Sequence, residues 1–191
     1  MNVLEFKKIC SEAILQNEPS LLEFAVGRFA EYCFKESTDT TVDEETVDYL
    51  AATFRSAAFN QMDGSWHLLM LLEYNWSAFT EGQRVTLLEA IEFSFPRFAD
   101  PMSWFVLSEV LGEYFCCDRA FELLTRFAHL PDDGPRSQVP HGLEHIAKST
   151  TDPSLRTRCL NTIQRMQKDP SDVVREEVAN SIEMLKRRGL M

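Results

Sequence analysis

Two segments near the C-terminus carry the same pattern of hydrophobic and polar positions. Each opens with Asp-Pro-Ser, at 152–154 and at 169–171, and continues with apolar residues at identical offsets. The apolar residues are Leu155, Cys159, Leu160, Ile163 and Met166 in the first segment, and Val174, Val178, Ala179, Ile182 and Leu185 in the second. A stripe at i, i+4, i+8 and i+11 predicts a helix that is hydrophobic on one face, so each helix must pack against a neighbour.

Helical spacing of apolar residues extends over the whole chain, and no segment alternates with the period of two that a strand requires. The predicted helices begin near residues 3, 19, 42, 66, 80, 101, 118, 140, 153 and 170. The first, third, fifth, seventh and ninth helices begin about 35–40 residues apart, which is the spacing of stacked helical hairpins. We therefore predict an all-α fold with about ten helices in roughly five stacked antiparallel hairpins, which form a right-handed superhelix. A compact irregular bundle is the alternative.

The pattern also makes three local predictions, for a helix end, a buried helix and a loop. The third helix is predicted to begin at Thr41 or Val42 and to continue through Ala58. The helix Trp66–Phe79 contains the apolar run 68–72, which is typical of a helix buried around most of its girth. The segment 131–135, Pro-Asp-Asp-Gly-Pro, predicts a loop.

The second C-terminal segment resembles a known structural repeat. Its residues are Asp169-Pro170-Ser171-Asp172-Val173-Val174-Arg175, followed by Val178, Ala179 and Ile182. Asp169 can cap a helix N-terminus, and Pro170 suits the first helical turn, where its missing N–H is not needed. The segment is similar to the inter-helix turn and second helix of a HEAT repeat. This resemblance covers a single repeat, and it implies an α-solenoid in which Asp172 and Arg175 tie neighbouring repeats together.

The charge of the chain is acidic and unevenly distributed. The 191 residues include 30 acidic and 19 basic side chains, which gives a formal net charge of −11. Residues 1–50 carry 11 acids and 4 bases, whereas residues 151–191 carry 6 acids and 8 bases. Proteins that bind nucleic acid usually present a basic surface, so this balance disfavours a nucleic-acid partner and favours a basic protein.

Five acidic residues are close together in the sequence without an intervening base. They are Asp39, Asp43, Glu44, Glu45 and Asp48. Acids at the start of a helix interact favourably with the helix dipole, so a solvated loop and helix N-terminus would explain them without a function. The functional interpretation is a docking patch for a basic partner, and these five residues are the candidate partner-binding site.

Several features indicate an intracellular protein. The first residues lack a basic segment followed by an apolar one, so we expect no signal peptide, and no apolar run is long enough to span a membrane. The five cysteines are odd in number, and four of them fit apolar helical positions, so we expect reduced thiols. We predict a single cytoplasmic domain over residues 1–191.

One motif has the composition of a catalytic metal site. His141-Gly142-Leu143-Glu144-His145 matches the His-x-x-Glu-His pattern of inverzincin peptidases, in which two imidazoles share a helical face. Inverzincin domains are not built from stacked hairpins, and the sequence declares no third ligand. We therefore expect solvent-facing or capping histidines, with no metal, no cofactor and no catalytic residues.

The expected function is a non-enzymatic protein-binding module. A compact acidic binder of this size resembles bacterial immunity proteins, which neutralise toxins, and charge complementarity with a basic toxin would speed association. One alternative is a DNA-binding or DNA-glycosylase-type protein, because HEAT-like DNA glycosylases are also small stacks of such repeats. A zinc-dependent hydrolase that uses His141, Glu144 and His145 is the other.

Overall fold

The computed structural model describes residues 1–35 and 42–191, with side chains for 1–30 and 42–191. Thr41, one of the two predicted starts of the third helix, lies outside the residues that the structure describes. Within these residues all regular structure is helical, which confirms the predicted all-α class. The α-helices are α1 (Val3–Gln16), α2 (Pro19–Lys35), α3 (Glu44–Phe54), α4 (Ala57–Asn60), α5 (Trp66–Tyr74), α6 (Glu81–Ser94), α7 (Pro101–Val110), α8 (Asp118–Phe127), α9 (Asp133–Ser137), α10 (Val139–Ser149), α11 (Pro153–Met166) and α12 (Asp172–Arg187). Trp76–Ala78 and Phe95–Arg97 are 3₁₀ turns, and Leu111–Phe115 is a π-helical segment.

The chain divides into two compact units, unit 1 (Met1–Ser103) and unit 2 (Trp104–Met191). In unit 1, α1 and α2 form a helical hairpin, α2 packs on α5, and α3 packs on α6. The rings of Phe6 and Phe29 stack at a centroid distance of 4.2 Å and join α1 to α2. The predicted apolar run of α5 is confirmed as core, because Leu68, Leu69, Leu71 and Leu72 are all buried.

Helix ends in unit 1 follow local capping chemistry. Thr80 and Gln83 form a capping box at the start of α6, with both reciprocal hydrogen bonds present. The predicted third helix is wrong at its C-terminal end, since α3 stops at Phe54. Ser56 interrupts it because its hydroxyl accepts a hydrogen bond from the Phe59 N–H at 3.2 Å and starts the short α4.

Unit 2 is organised around α10, which packs against α8, α9, α11, α12 and the π-helical segment. The stripes predicted for the last two helices are confirmed at Leu155, Cys159, Ile163 and Met166 and at Val174, Val178, Ile182 and Leu185, which are buried. The i+5 positions, Leu160 and Ala179, lie at the margin of each stripe and are not buried.

The predicted loop at 131–135 is only partly correct, because α9 begins within it. Asp132 caps this short helix by accepting a hydrogen bond from the Gly134 N–H at 2.9 Å, and Pro135 fits within the first turn. Arg136 of α9 then forms a two-pronged ion pair with Asp169, in which both N···O distances are 3.1 Å. Asp172 and Arg175, by contrast, pair with each other at the start of α12.

Candidate functional site

The predicted acidic site lies at the start of α3 in unit 1. Asp43, Glu44, Glu45 and Asp48 are all exposed there, and Asp39 lies outside the described residues. The structure thus brings four of the five predicted residues together over the first turns of a single helix.

Three of these acids have contacts within unit 1. Asp43 is the N-cap of α3 and accepts hydrogen bonds from the Thr46 N–H at 2.8 Å and the Thr46 hydroxyl at 2.9 Å. Burial alone would raise the pKa of Asp43, but these hydrogen bonds outweigh it and hold the pKa below its usual value. Glu44 accepts a hydrogen bond from the Gln83 amide at 2.8 Å, and Glu45 pairs with Lys7 at 3.0 Å.

Asp43 and Glu44 therefore contribute to helix capping and helix packing. Glu45 keeps 87% of its side-chain surface exposed, whereas its partner Lys7 is only 12% exposed. Asp48, one turn further along, is also exposed. Glu45 and Asp48 are the two exposed members of the cluster that lie outside the capping and packing contacts of Asp43 and Glu44.

An exposed apolar pair lies on α1, the helix whose Lys7 pairs with Glu45. Leu4 and Leu15 are 78% and 84% exposed, and at about 100° per residue they project from the same face of the helix. On α1, Lys7 pairs with Glu45 of α3, and the Ser11 hydroxyl hydrogen-bonds with the Tyr49 hydroxyl of α3. We call the surface formed by Leu4, Leu15, Glu45 and Asp48 the α1–α3 face.

Almost all of the net charge belongs to unit 1. Its sequence holds 17 acidic and 7 basic residues, a net charge of −10, whereas unit 2 holds 13 acidic and 12 basic residues, a net charge of −1. The basic C-terminal segment is thus balanced by acids elsewhere in unit 2.

A second cluster of titratable residues lies inside unit 2, around α10. His141, Glu144 and His145 expose only 19%, 5% and 9% of their side chains. The expectation of solvent-facing or capping histidines is therefore wrong. Glu109 of α7 and Glu113 of the π-helical segment complete the cluster.

Two glycines explain why these histidines are covered. A Cβ atom on Gly112 would lie 2.3 Å from the Cβ of His145 and 2.5 Å from the carbonyl oxygen of Gly142. A Cβ atom on Gly142 would lie 2.9 Å from the carbonyl oxygen of Ser108. The backbones can pack this closely only because both positions lack a side chain. Glycine has low helix propensity, but in this fold Gly142 is a point of close contact between helical segments.

His145 is held by a carboxylate from the π-helical segment. Its Nδ1 lies 3.0 Å from Oε1 of Glu113, and the Lys148 ammonium contacts the same carboxylate oxygen and lies 3.1 Å from Nδ1. Burial alone would raise the pKa of Glu113, but Lys148 and His145 outweigh it and lower the pKa. Burial, followed by the charge of Lys148, lowers the pKa of His145.

His141 has fewer polar contacts than its neighbour. Its ring stacks on Phe105 at 4.5 Å, and its Nδ1 lies 4.0 Å from Oε2 of Glu144. Its Nε2 is buried without a hydrogen-bond partner among the described residues. Burial, reinforced by His145 and Lys148, lowers the pKa of His141 to about 4, so the imidazole is neutral at neutral pH. Burial also raises the pKa of Glu144.

This cluster has the donor atoms of a metal site. One ligand atom each from His141, Glu144 and His145 lie within 4.8 Å of one another, and the same holds for Glu109, Glu113 and His145. Imidazole nitrogen together with carboxylate oxygen is a ligand set that zinc and neighbouring transition metals accept. The sequence motif identified the residues of α10, but it gave no sign of the two glutamates from the preceding helical segments.

No family model, no curated protein sequence and no solved structure matches this chain. Among the helices of the described segments, none combines the length and the apolar character needed to cross a membrane. Function is therefore inferred from the residues of the chain itself.

Proposed function

We propose that this chain is a non-enzymatic protein-binding module that recognises a basic protein, and that it acts as an inhibitor or immunity protein for such a partner. The observation that carries this proposal is the net charge of −10 on unit 1, together with the exposed carboxylates of Glu45 and Asp48. Opposite charge on a partner raises the association rate and excludes partners of the wrong sign.

The α1–α3 face also offers apolar contact area. Protein interfaces combine buried apolar anchors with a polar rim, and Leu4 and Leu15 are exposed on α1, the helix that pairs with Glu45 through Lys7. A DNA-binding or DNA-glycosylase-type role fits less well, because the unit that contains the basic C-terminal segment carries a net charge of −1.

Affinity capture with two charge-reversal variants tests this proposal. The tagged wild-type chain, the variant Glu45→Lys/Asp48→Lys and the control Glu122→Lys/Glu176→Lys are each incubated with extract, and bound proteins are quantified by mass spectrometry. Both variants change the net charge equally, but Glu122 and Glu176 are exposed residues of unit 2. Melting curves of all three proteins confirm that they remain folded.

We expect the wild-type chain and the control to retain the same basic protein in a stoichiometric complex, and the Glu45→Lys/Asp48→Lys variant to lose it. Equal retention by all three proteins, or a stoichiometric partner that is itself acidic, would contradict the proposal.

A further inference from the structure

We propose that His141, Glu144 and His145 bind one divalent transition-metal ion of the zinc class, and that Glu113 orients His145 for this purpose. The proposal concerns unit 2 alone and does not rest on the proposed protein-binding function. A failure of either one leaves the other standing.

One ligand atom from each of the three residues already lies within 4.8 Å of the others. Two ligand atoms bound to one zinc ion at about 2.0–2.1 Å in tetrahedral geometry lie about 3.3 Å apart. Nδ1 of His141 and Oε2 of Glu144 lie 4.0 Å apart. Rotation of either side chain that moves its ligand atom by less than about 1 Å would bring the two atoms to that separation. All three ligands come from successive turns of α10, which fixes their spacing.

Glu113 supplies the outer contact that metal-binding histidines usually have. A ligating imidazole generally donates its second N–H to a carboxylate, which fixes the tautomer and the ring orientation. The 3.0 Å separation between His145 Nδ1 and Glu113 Oε1 provides this arrangement in the tautomer that carries its proton on Nδ1, and Nε2 of His145 is then the ligand atom. Lys148 pairs with Glu113 and so balances the charge of the orienting carboxylate rather than that of the ligands.

The burial of the cluster favours a cation. Glu144 is 4% exposed, and a buried carboxylate is costly unless a positive charge or hydrogen bonds compensate it. A metal ion bound by Glu144 and the two imidazoles would supply such a charge. The second ligand set, Glu109, Glu113 and His145, fits less well because Lys148 already contacts Glu113.

The ligand set also selects the class of ion. Two imidazole nitrogens and one carboxylate suit zinc, cobalt and similar ions, whereas magnesium and calcium prefer oxygen ligands throughout. Three protein ligands leave a fourth tetrahedral position open, as in sites where zinc also binds water or a small ligand.

Titration of the purified full-length protein with Co²⁺ tests the site. A tetrahedral Co²⁺ complex absorbs in the visible range, and Zn²⁺ should displace the ion and abolish the absorption. The panel comprises wild type, His141→Ala, His145→Ala, Glu144→Gln, Glu113→Gln and the control His129→Ala, whose histidine is exposed and outside the cluster. Circular dichroism checks that each variant is folded.

We expect one Co²⁺ per chain in wild type and in His129→Ala, and no visible absorption in either cluster His→Ala variant. Glu113→Gln should weaken binding by about 10–100-fold, the effect typical of losing an outer partner. If a His→Ala variant does not fold, Glu144→Gln takes its place in the comparison because it preserves the size of the side chain. This variant should bind Co²⁺ at least tenfold more weakly than wild type. The proposal is overturned if folded wild type gives no saturable absorption, or if binding survives in the folded cluster variants.

Discussion

At the scale of single residues, the buried ion pair between Arg136 and Asp169 contributes more to the fold than the exposed charges near it. Both side chains are only 10% exposed, and the guanidinium bridges both carboxylate oxygens. Asp169 also accepts a hydrogen bond from the Ser171 N–H at 2.9 Å and so shapes the turn before α12. Asp172, for which the HEAT resemblance implied such a tie, is 92% exposed and pairs with Arg175 of the same helix.

Replacing Asp169 with Ala should lower the free energy of unfolding by about 3 kcal/mol, because it leaves a buried guanidinium without its counter-ion. The estimate is at the lower end of the range for buried pairs, since Arg136 keeps hydrogen bonds to the carbonyl oxygens of Leu130 and Pro131. Urea unfolding measures the change, and Asp172→Ala is the matched control, with an expected effect below about 1 kcal/mol. Equal losses in the two variants would show that the pair is not the stabilising contact.

Two cysteines should be chemically inert while the protein is folded. Burial raises the pKa of Cys10 and of Cys159 to about 12, and the thiolate is the form that reacts with alkylating reagents. At mildly alkaline pH, mass spectrometry after iodoacetamide treatment should find both residues unmodified in the native protein and modified after unfolding. The partly exposed Cys117 serves as the internal comparison. Labelling of native Cys10 as fast as in the unfolded chain would contradict its placement.

At the scale of helices, the hydrophobic pattern predicted α11 and α12 well because each buries one stripe against neighbours. The pattern gave no indication that α10 is the central helix of unit 2, since its buried positions include Glu144, His145 and a glycine. Burial there depends on the close approach of the π-helical segment at Gly112, and such an approach leaves no periodic signal in the sequence. The same reason explains the candidate metal site, where the His-x-x-Glu-His motif was visible and Glu113 was not.

The stripe of α12 can be measured with substitutions on opposite faces of one helix. Val178 and Ile182 are 1% and 8% exposed, whereas Val173 is 52% exposed. Val178→Ala or Ile182→Ala should cost about 2–4 kcal/mol through lost burial and the cavity left behind. Val173→Ala should change stability by less than about 0.5 kcal/mol. Chemical denaturation measures the change in unfolding free energy for each variant. Similar losses on both faces would mean that α12 is rotated about its own axis from this orientation.

At the scale of the whole molecule, the charge asymmetry is the property that most directly connects sequence to proposed function. The concentration of acidic residues in the first part of the chain is visible from the sequence alone. The division at Ser103 and the hydrogen bond from Gln83 to Glu44 needed a structure, because both depend on contacts between distant segments. Those contacts also change the choice of variants, since reversing Asp43 or Glu44 would weaken helix capping and packing together with any docking surface.

The most direct measurement of the central claim is the association rate of the captured partner with the α1–α3 face as ionic strength rises. Between about 0.01 M and about 1 M salt the screening length falls from about 30 Å to about 3 Å, so an electrostatically steered encounter must slow. The account predicts a rate that falls several-fold with salt in wild type and in Glu122→Lys/Glu176→Lys. In Glu45→Lys/Asp48→Lys the rate should already be several-fold lower at low salt. A rate that is indifferent both to salt and to the Glu45→Lys/Asp48→Lys reversal would contradict the account.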